Sequence, residues 1–203
     1  MQICVAGCHT NVGKTYTSAM LCSVLKYDYF KIIQAGLPKD SEVIKKFSPN
    51  TSIYPEGILL QTPASPHIGM KVENISYDGL KISLPPSKNL IIETAGGLYT
   101  PIDSKNCMID FIQEHKLQTI LVGSHYLGSI NHILLSINAL KNKNIKILSL
   151  IISGDIDEEM DDFIKKQVDI KIIHLPFYNE ANLNEIKNSF KEALKKSFNT
   201  SFC

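Results

Sequence analysis

The sequence has no arginine; all 21 of its basic residues are lysines. That absence removes the guanidinium fork often used to clamp phosphate, and with it any arginine finger donated by this chain or an identical neighbour. Anion chemistry must therefore rest on lysine, backbone amides, hydroxyls or a metal. Neither charge is in excess, with Lys+Arg 21 against Asp+Glu 20, and there is no basic block. Phosphate-backbone affinity needs clustered positive charge, so nucleic acid is not expected as a partner. Cysteine is sparse, odd in number and scattered (Cys4, Cys8, Cys22, Cys107, Cys203), without a C-x-x-C pair. Neither a disulfide framework nor a zinc site fits that spacing, and reduced thiols are expected. No charged leader precedes the first apolar stretch, and no apolar run approaches the roughly 20 residues of a membrane span. A cytoplasmic protein without a membrane partner is the expectation.

What is present suits one α/β domain. A chain of 203 residues is long enough to bury a substantial core and short for two domains. Ile-, Leu- and Val-rich runs recur at 3–6, 30–33, 90–92, 120–123, 145–152 and 170–175. Runs that are apolar on both faces suit buried parallel strands. Between them, periodicity predicts helices at 14–27, 41–47, 107–115, 130–140 and 158–166, and a last one at 184–196 with Ile186, Phe190 and Leu194 on one face. This alternation predicts a single-domain α/β fold, a mainly parallel sheet flanked by helices. Residues 48–89 hold six prolines and no clear period, and read as a loop-rich insertion.

The strongest local signal is G-C-H-T-N-V-G-K-T at 7–15, directly after a strand and opening a helix. Glycines let backbone N–H groups converge on phosphate, and the helix N-terminus adds partial positive charge. Lys14 can reach β- and γ-oxygens, and the Thr15 hydroxyl can ligate Mg²⁺. Five residues rather than four separate Gly7 from Gly13, which makes this a variant P-loop. A second signal is E-T-A-G-G at 93–97. An acid at the C-terminal edge of a parallel strand lies where such sheets bind ligands, so Glu93 could hold Mg²⁺ opposite Thr15, or could be a solvated strand-end acid before a glycine turn. Third, Lys31 sits inside the apolar run 30–33, where an unpaired ammonium would be costly, so it meets an anion or the surface. Asp40 reads by itself as the N-cap of a helix beginning at Ser41.

Taken in order, these segments resemble the dethiobiotin synthetase family, ATP-dependent enzymes of biotin synthesis with a P-loop NTPase-like α/β fold. The resemblance rests on the variant P-loop, on Y-F-K-I-I-Q-A-G at 29–36 and on S-P-H at 65–67. It continues with E-T-A-G-G at 93–97, Thr100-Pro101 and L-G-S-I-N-H at 127–132. It implies a ligase that joins CO₂ to 7,8-diaminopelargonate, through a carbamate and a carbamic-phosphoric anhydride. By resemblance, Asn11, Val12, Gly13, Lys14, Thr15 and Tyr16, with Thr94, Ala95 and Gly96, would bind ATP. Thr15, Asp40 and Glu93 would hold Mg²⁺, and Lys14 and Lys31 would be catalytic. Thr10, Ala35, Gly96, Gly128 and Asn131 would meet the diamine, the last two from the neighbouring subunit of a homodimer. Gly154-Asp155 stands where the family has an Asn-Asp pair that reads adenine, and Pro176, Phe177 and Tyr178 would line the base. Four positions depart from the family pattern: Asn11 for an acid, Ile32 for proline, Ala35 for a hydroxyl residue and Gly154 for asparagine.

A different class, the deviant P-loop partition or targeting ATPases, places a signature lysine five residues before the P-loop lysine. Here that residue is His9. A nucleotide-binding scaffold without chemistry would lack part of the set Lys14, Thr15, Lys31, Asp40 and Glu93, all of which are present.

Overall fold

The computed structural model describes residues 1–198. Six strands form one parallel sheet: β1 (Gln2–Gly7), β2 (Asp28–Lys31), β5 (Leu90–Gly97), β6 (Gln118–Gly123), β7 (Ile147–Ser153) and β8 (Ile172–Leu175). Their order is β2-β5-β1-β6-β7-β8. Two further strands, β3 (Ile33–Ala35) and β4 (Ile58–Leu60), pair separately. The helices are α1 (Lys14–Leu25), α2 (Asp40–Phe47), α3 (Pro66–Val72), α4 (Met108–Glu114), α5 (Ser129–Asn142), α6 (Glu158–Gln167) and α7 (Leu183–Phe198). No described helix is long and apolar enough to cross a membrane.

The double-sided apolar runs have a direct cause. Successive strand residues point to opposite faces, and here they divide between two cores. Ile3, Val5, Ile91, Ile120, Val122 and Ile151 pack with α1, α2 and α7 through Met20, Phe47 and Phe190. Cys4, Ala6, Ile92, Leu121, Leu150 and Ile152 pack with α4 and α5 through Phe111, Ile133 and Ile137. The described cysteines, Cys4, Cys8, Cys22 and Cys107, are free thiols; Cys203 lies outside the described residues.

Several element boundaries differ from the sequence reading. The run 30–33 belongs to two strands, because at Ile32 the chain changes partner: the Ile32 N–H donates to the Glu93 carbonyl, while its own carbonyl accepts from Ile58. Strand β5 runs on to Gly97, so E-T-A-G-G is strand rather than strand end plus turn. Asp40 is the first helical residue of α2 and Lys39 its N-cap, so the capping role expected of Asp40 is not the one it has. Within 48–89 lie β4, α3 and a 3₁₀ turn, Gly79–Lys81.

Candidate functional site

The loop from β1 to α1 is shaped by residues that tolerate the left-handed backbone conformation. Gly13 caps α1 at φ 95°, and Asn11 also takes the left-handed conformation, at φ 61°. A Cβ on Gly13 would stand 2.3 Å from Ser153 Oγ, so only glycine fits. No acidic residue occupies the first turn of α1, whose N–H groups and dipole are left to favour an anion. Lys14 folds back over the loop, its Nζ donating to the His9 carbonyl at 3.2 Å.

Strand register assembles the rest. Lys31 pairs with Glu93 between β2 and β5, and Val5 of β1 flanks Glu93 on the other side. Period 2 then sends Tyr29, Lys31 and Glu93 toward α1. Glu93 is fully buried, yet each of its oxygens is bonded. Its Oε1 accepts from Lys31 Nζ at 2.7 Å and from Thr15 Oγ1 at 2.9 Å; Oε2 accepts from Tyr29 Oη at 3.1 Å. Lys31 also donates to the Thr94 carbonyl at 3.1 Å and pairs with the Asp40 carboxylate. Neither the solvated acid nor the water-facing lysine left open by the sequence is found: Lys31 is 4% exposed and Glu93 0%.

These contacts set the ionisation. Burial alone would raise the Glu93 carboxyl, but the charge and hydrogen bond of Lys31 hold it below the usual carboxylate range. Burial likewise opposes the Lys31 ammonium, and Glu93 and Asp40 overcome it, raising its pKa. Lys14 has no ion pair among the described residues. Burial, then the nearby Lys31 charge, lowers it to about 8. Two lysines on one cleft are thus held in opposite ways.

A cleft of about 1450 Å³ opens beside them, lined among others by Thr10, Asn11, Gly13 to Tyr16, Lys31, Ala35, Asp40, Glu93, Ala95 and Gly96. A second cavity of about 400 Å³ adjoins it, lined by Val12, Tyr16, Ser124, Ser153, Pro176, Phe177 and Tyr178 among others. Tyr178 closes onto α1 by donating to the Tyr16 carbonyl at 2.6 Å. Thr94 turns into the core, its hydroxyl donating to the Val5 carbonyl at 3.4 Å. Gly154 and Asp155 line neither of these cavities: Gly154 lies at φ 103° under the Phe177 ring, and Asp155 faces solvent. Gly128 and Asn131, at the exposed start of α5, also lie outside both cavities. Tyr29, Gln34, Ser124 and Ser153 join the site although the sequence reading gave them no role. An aromatic or hydroxyl residue in a strand carries no local signal of what its neighbouring strand presents.

Thr15, Asp40 and Glu93 supply one hydroxyl and two carboxylates around the Lys31 ammonium. That hard-oxygen set fits a Mg²⁺ that draws its remaining ligands from phosphate and water. Among the described residues no group of three or more His, Cys, Asp or Glu could hold a metal by itself.

A family model described as an AAA domain matches residues 1–181. An ATP-dependent dethiobiotin synthetase of Campylobacter jejuni subsp. jejuni is 55% identical over 97% of this chain and 96% of its own. The one from Christiangramia forsetii is 38% identical over 94% and 96%. Among solved structures, a putative plasmid partition protein of Borrelia burgdorferi overlays with TM-score 0.57 at 12% identity, covering 97% of each chain. A ParA family ATPase of Chlorobium tepidum does so with 0.53 at 17% identity, covering 98% of this chain and 93% of its own. At those identities the likeness is one of fold alone.

Proposed function

Because this chain belongs to the dethiobiotin synthetase family, ligases that use ATP, we propose that the cleft holding Lys14 and Lys31 closes the cyclic urea from 7,8-diaminopelargonate and CO₂. The observation that carries the reading is the pinning of the Lys31 ammonium between Glu93 and Asp40, beside Lys14 and the P-loop. One substrate amine takes up CO₂ as a carbamate. A carbamate oxygen attacks the γ-phosphorus of ATP, ADP departs, and the second amine attacks the carbamoyl carbon and expels phosphate. Such transfer asks mainly for positioning and charge neutralisation. The P-loop amides and Lys14 hold the triphosphate, and Lys31 neutralises the carbamate and the transferring phosphoryl group. Bound Mg²⁺, held by Thr15, Asp40 and Glu93, would add charge neutralisation across the phosphates. Thr10, Ala35 and Gly96 would border the diamine. In the homodimer, the exposed Gly128 backbone and Asn131 would reach the substrate carboxylate of the neighbouring subunit.

The test is phosphate release with Mg²⁺ and ATP, with and without diaminopelargonate and bicarbonate. Dependence on both co-substrates is the expected result; release indifferent to the diamine would sink the assignment in favour of a switch ATPase.

Two further outcomes follow from the geometry. Lys14 has a pKa of about 8 in the free enzyme, and a bound triphosphate must raise it. ATP binding between about pH 8 and 9 should therefore take up protons, and affinity should fall as pH rises above 8. Calorimetry in buffers of different ionisation enthalpy measures the uptake; binding without proton exchange in that window would contradict it. Second, Gly154 offers no amide to a base, and the second cavity is lined by Tyr16, Phe177 and Tyr178, by the apolar Val12, Leu175 and Pro176, and by the polar side chains of Ser124, Ser153 and Asn11, the last of them exposed. Strong discrimination needs buried groups that one base satisfies and another leaves unpaired. Values of kcat/KM for ATP, GTP and CTP are expected to lie within about tenfold of each other, roughly 1.4 kcal/mol. Gly154→Asn should not restore selectivity for adenine, because its Cβ would stand 2.7 Å from the Phe177 ring at φ 103°. A thousandfold preference for ATP in the wild-type enzyme would refute this reading of the base cavity.

A further inference from the structure

The start of α2 carries Asp40, yet its own N-cap, Lys39, supplies no capping side chain. A helix N-terminus leaves its first N–H groups without intrahelical partners. Here the missing acceptor comes from another element. The Asp40 N–H donates to Gln34 Oε1 of β3 at 3.0 Å, while Gln34 Nε2 donates to the Gly36 carbonyl at 3.0 Å. Both ends of the amide are thereby assigned, since the opposite orientation would face donor with donor and acceptor with acceptor. Gln34 is 5% exposed, and Gly36 is itself fixed by donating its N–H to the Leu60 carbonyl at 2.9 Å. Across the helix start, Glu56 accepts from Lys39 Nζ at 3.0 Å and from Ser41 Oγ at 3.3 Å. The first turn of α2 is thus held from two sides by side chains outside the helix.

We infer that Gln34 is a positioning residue: by capping α2 from β3 it sets the Asp40 carboxylate at the distance from Lys31 and Glu93 that a nucleotide-bound metal requires. This rests on the metal-holding role proposed for Asp40. The physical reason is that a carboxylate at the first position of a short helix moves with that turn. Displacement by a fraction of an ångström costs more in a site shared by a cation and phosphate than in a solvated one. Glu56 alone cannot fix the turn, since it holds Lys39 and Ser41 on either side of Asp40 through flexible side chains and leaves the Asp40 N–H free.

The test compares wild type, Gln34→Leu, Asp40→Ala and the double variant by calorimetric titration of Mg²⁺ into enzyme saturated with a non-hydrolysable ATP analogue. Binding of the analogue without metal is measured alongside, in EDTA. Gln34→Leu is expected to weaken Mg²⁺ binding by about tenfold, the upper range for one hydrogen bond between neutral groups, while the EDTA affinity stays unchanged. Asp40→Ala is expected to weaken it at least as much, and the double variant to equal Asp40→Ala. Should leucine not fold, Gln34→Met keeps the chain length without the amide and carries the same expectation. Unchanged Mg²⁺ affinity in the Gln34 variant beside a weakened Asp40→Ala overturns the inference alone. So does a double variant whose loss is the sum of the two. Unchanged affinity in Asp40→Ala overturns the metal-holding role and this inference with it.

Discussion

Lys31→Ala should lose dethiobiotin formation by on the order of 10³-fold in kcat and should also reverse the pH dependence of stability. The first effect follows from the charge neutralisation proposed for Lys31. The second follows from what is left behind. With Lys31 present, Glu93 is held below its usual pKa despite complete burial. A group depressed in this way contributes stability above its unfolded pKa, about 4.3, and loses it as pH falls. Between pH 5 and 8 the wild-type contribution is therefore full. Lys31, whose pKa is raised, contributes below its unfolded value and loses its share only at high pH, outside that window. Without the ammonium, burial acts on Glu93 against the hydrogen bonds of Thr15 and Tyr29 and the Lys14 charge, and its pKa should rise above the unfolded value. Stability is then present at low pH and falls as pH rises through the raised value. Stranding one partner of a buried pair costs about 3–5 kcal/mol, so the loss at pH 8 should be large and at pH 5 small. Urea midpoints at the two pH values measure this. Turnover within tenfold of wild type would remove Lys31 from the chemistry. A midpoint that climbs from pH 5 to 8 would mean that Glu93 remains ionised without its partner.

Lys14→Ala should lose turnover to a similar degree and affinity for MgATP by about 100-fold or more, with the opposite sign in stability. Lys14 is a buried cation with a carbonyl contact and no ion pair among the described residues. Its pKa of about 8 lies below that of an unfolded lysine, so the fold disfavours its charged form. That penalty is complete below about pH 8 and fades as pH rises toward the unfolded value near 10.4. Removing the side chain lifts the penalty at pH 7, set against the packing lost with the aliphatic stem. Since the stem lines the cleft rather than the core, the net change should be neutral to stabilising by about 1–2 kcal/mol at pH 7. The gain should shrink toward pH 10. Thermal melts across pH 7 to 10 decide it; a clear destabilisation at pH 7 would show that Lys14 has a structural role the pairing pattern does not reveal. Together the two alanine variants separate a lysine that binds only the ligand from one that also supports the fold.

The parts legible in the sequence were those encoded contiguously. The P-loop was readable because its glycines, lysine and threonine stand within nine positions between a strand and a helix. The α7 face was readable because Phe190 and Leu194 repeat at helical spacing, and both are buried. Taken by itself, Asp40 looks like a cap because it stands one position before an expected helix, and only the Gln34 acceptor from β3 shows that capping is done elsewhere. Lys31 and Glu93 were ambiguous for a related reason. A charged residue in an apolar run is either costly or paired, and its partner lies 62 residues away.

By itself, then, the sequence determined a parallel α/β sheet, a variant P-loop, membership of a synthetase family, and that anion chemistry would fall to lysine, backbone amides, hydroxyls or a metal because no arginine exists. Which lysine pairs with which acid was decided by tertiary structure. The register of β2 against β5 sets Lys31 beside Glu93, the start of α1, which follows β1 on the other side of β5, brings Thr15 to the same carboxylate, and Lys14 has no ion pair among the described residues. Phe177 covering Gly154 was decided in the same way. Local periodicity and contiguous motifs fix elements because their interactions span a few residues. Charge pairing across a sheet depends on which strands become neighbours and in what register, and those are properties of the folded chain.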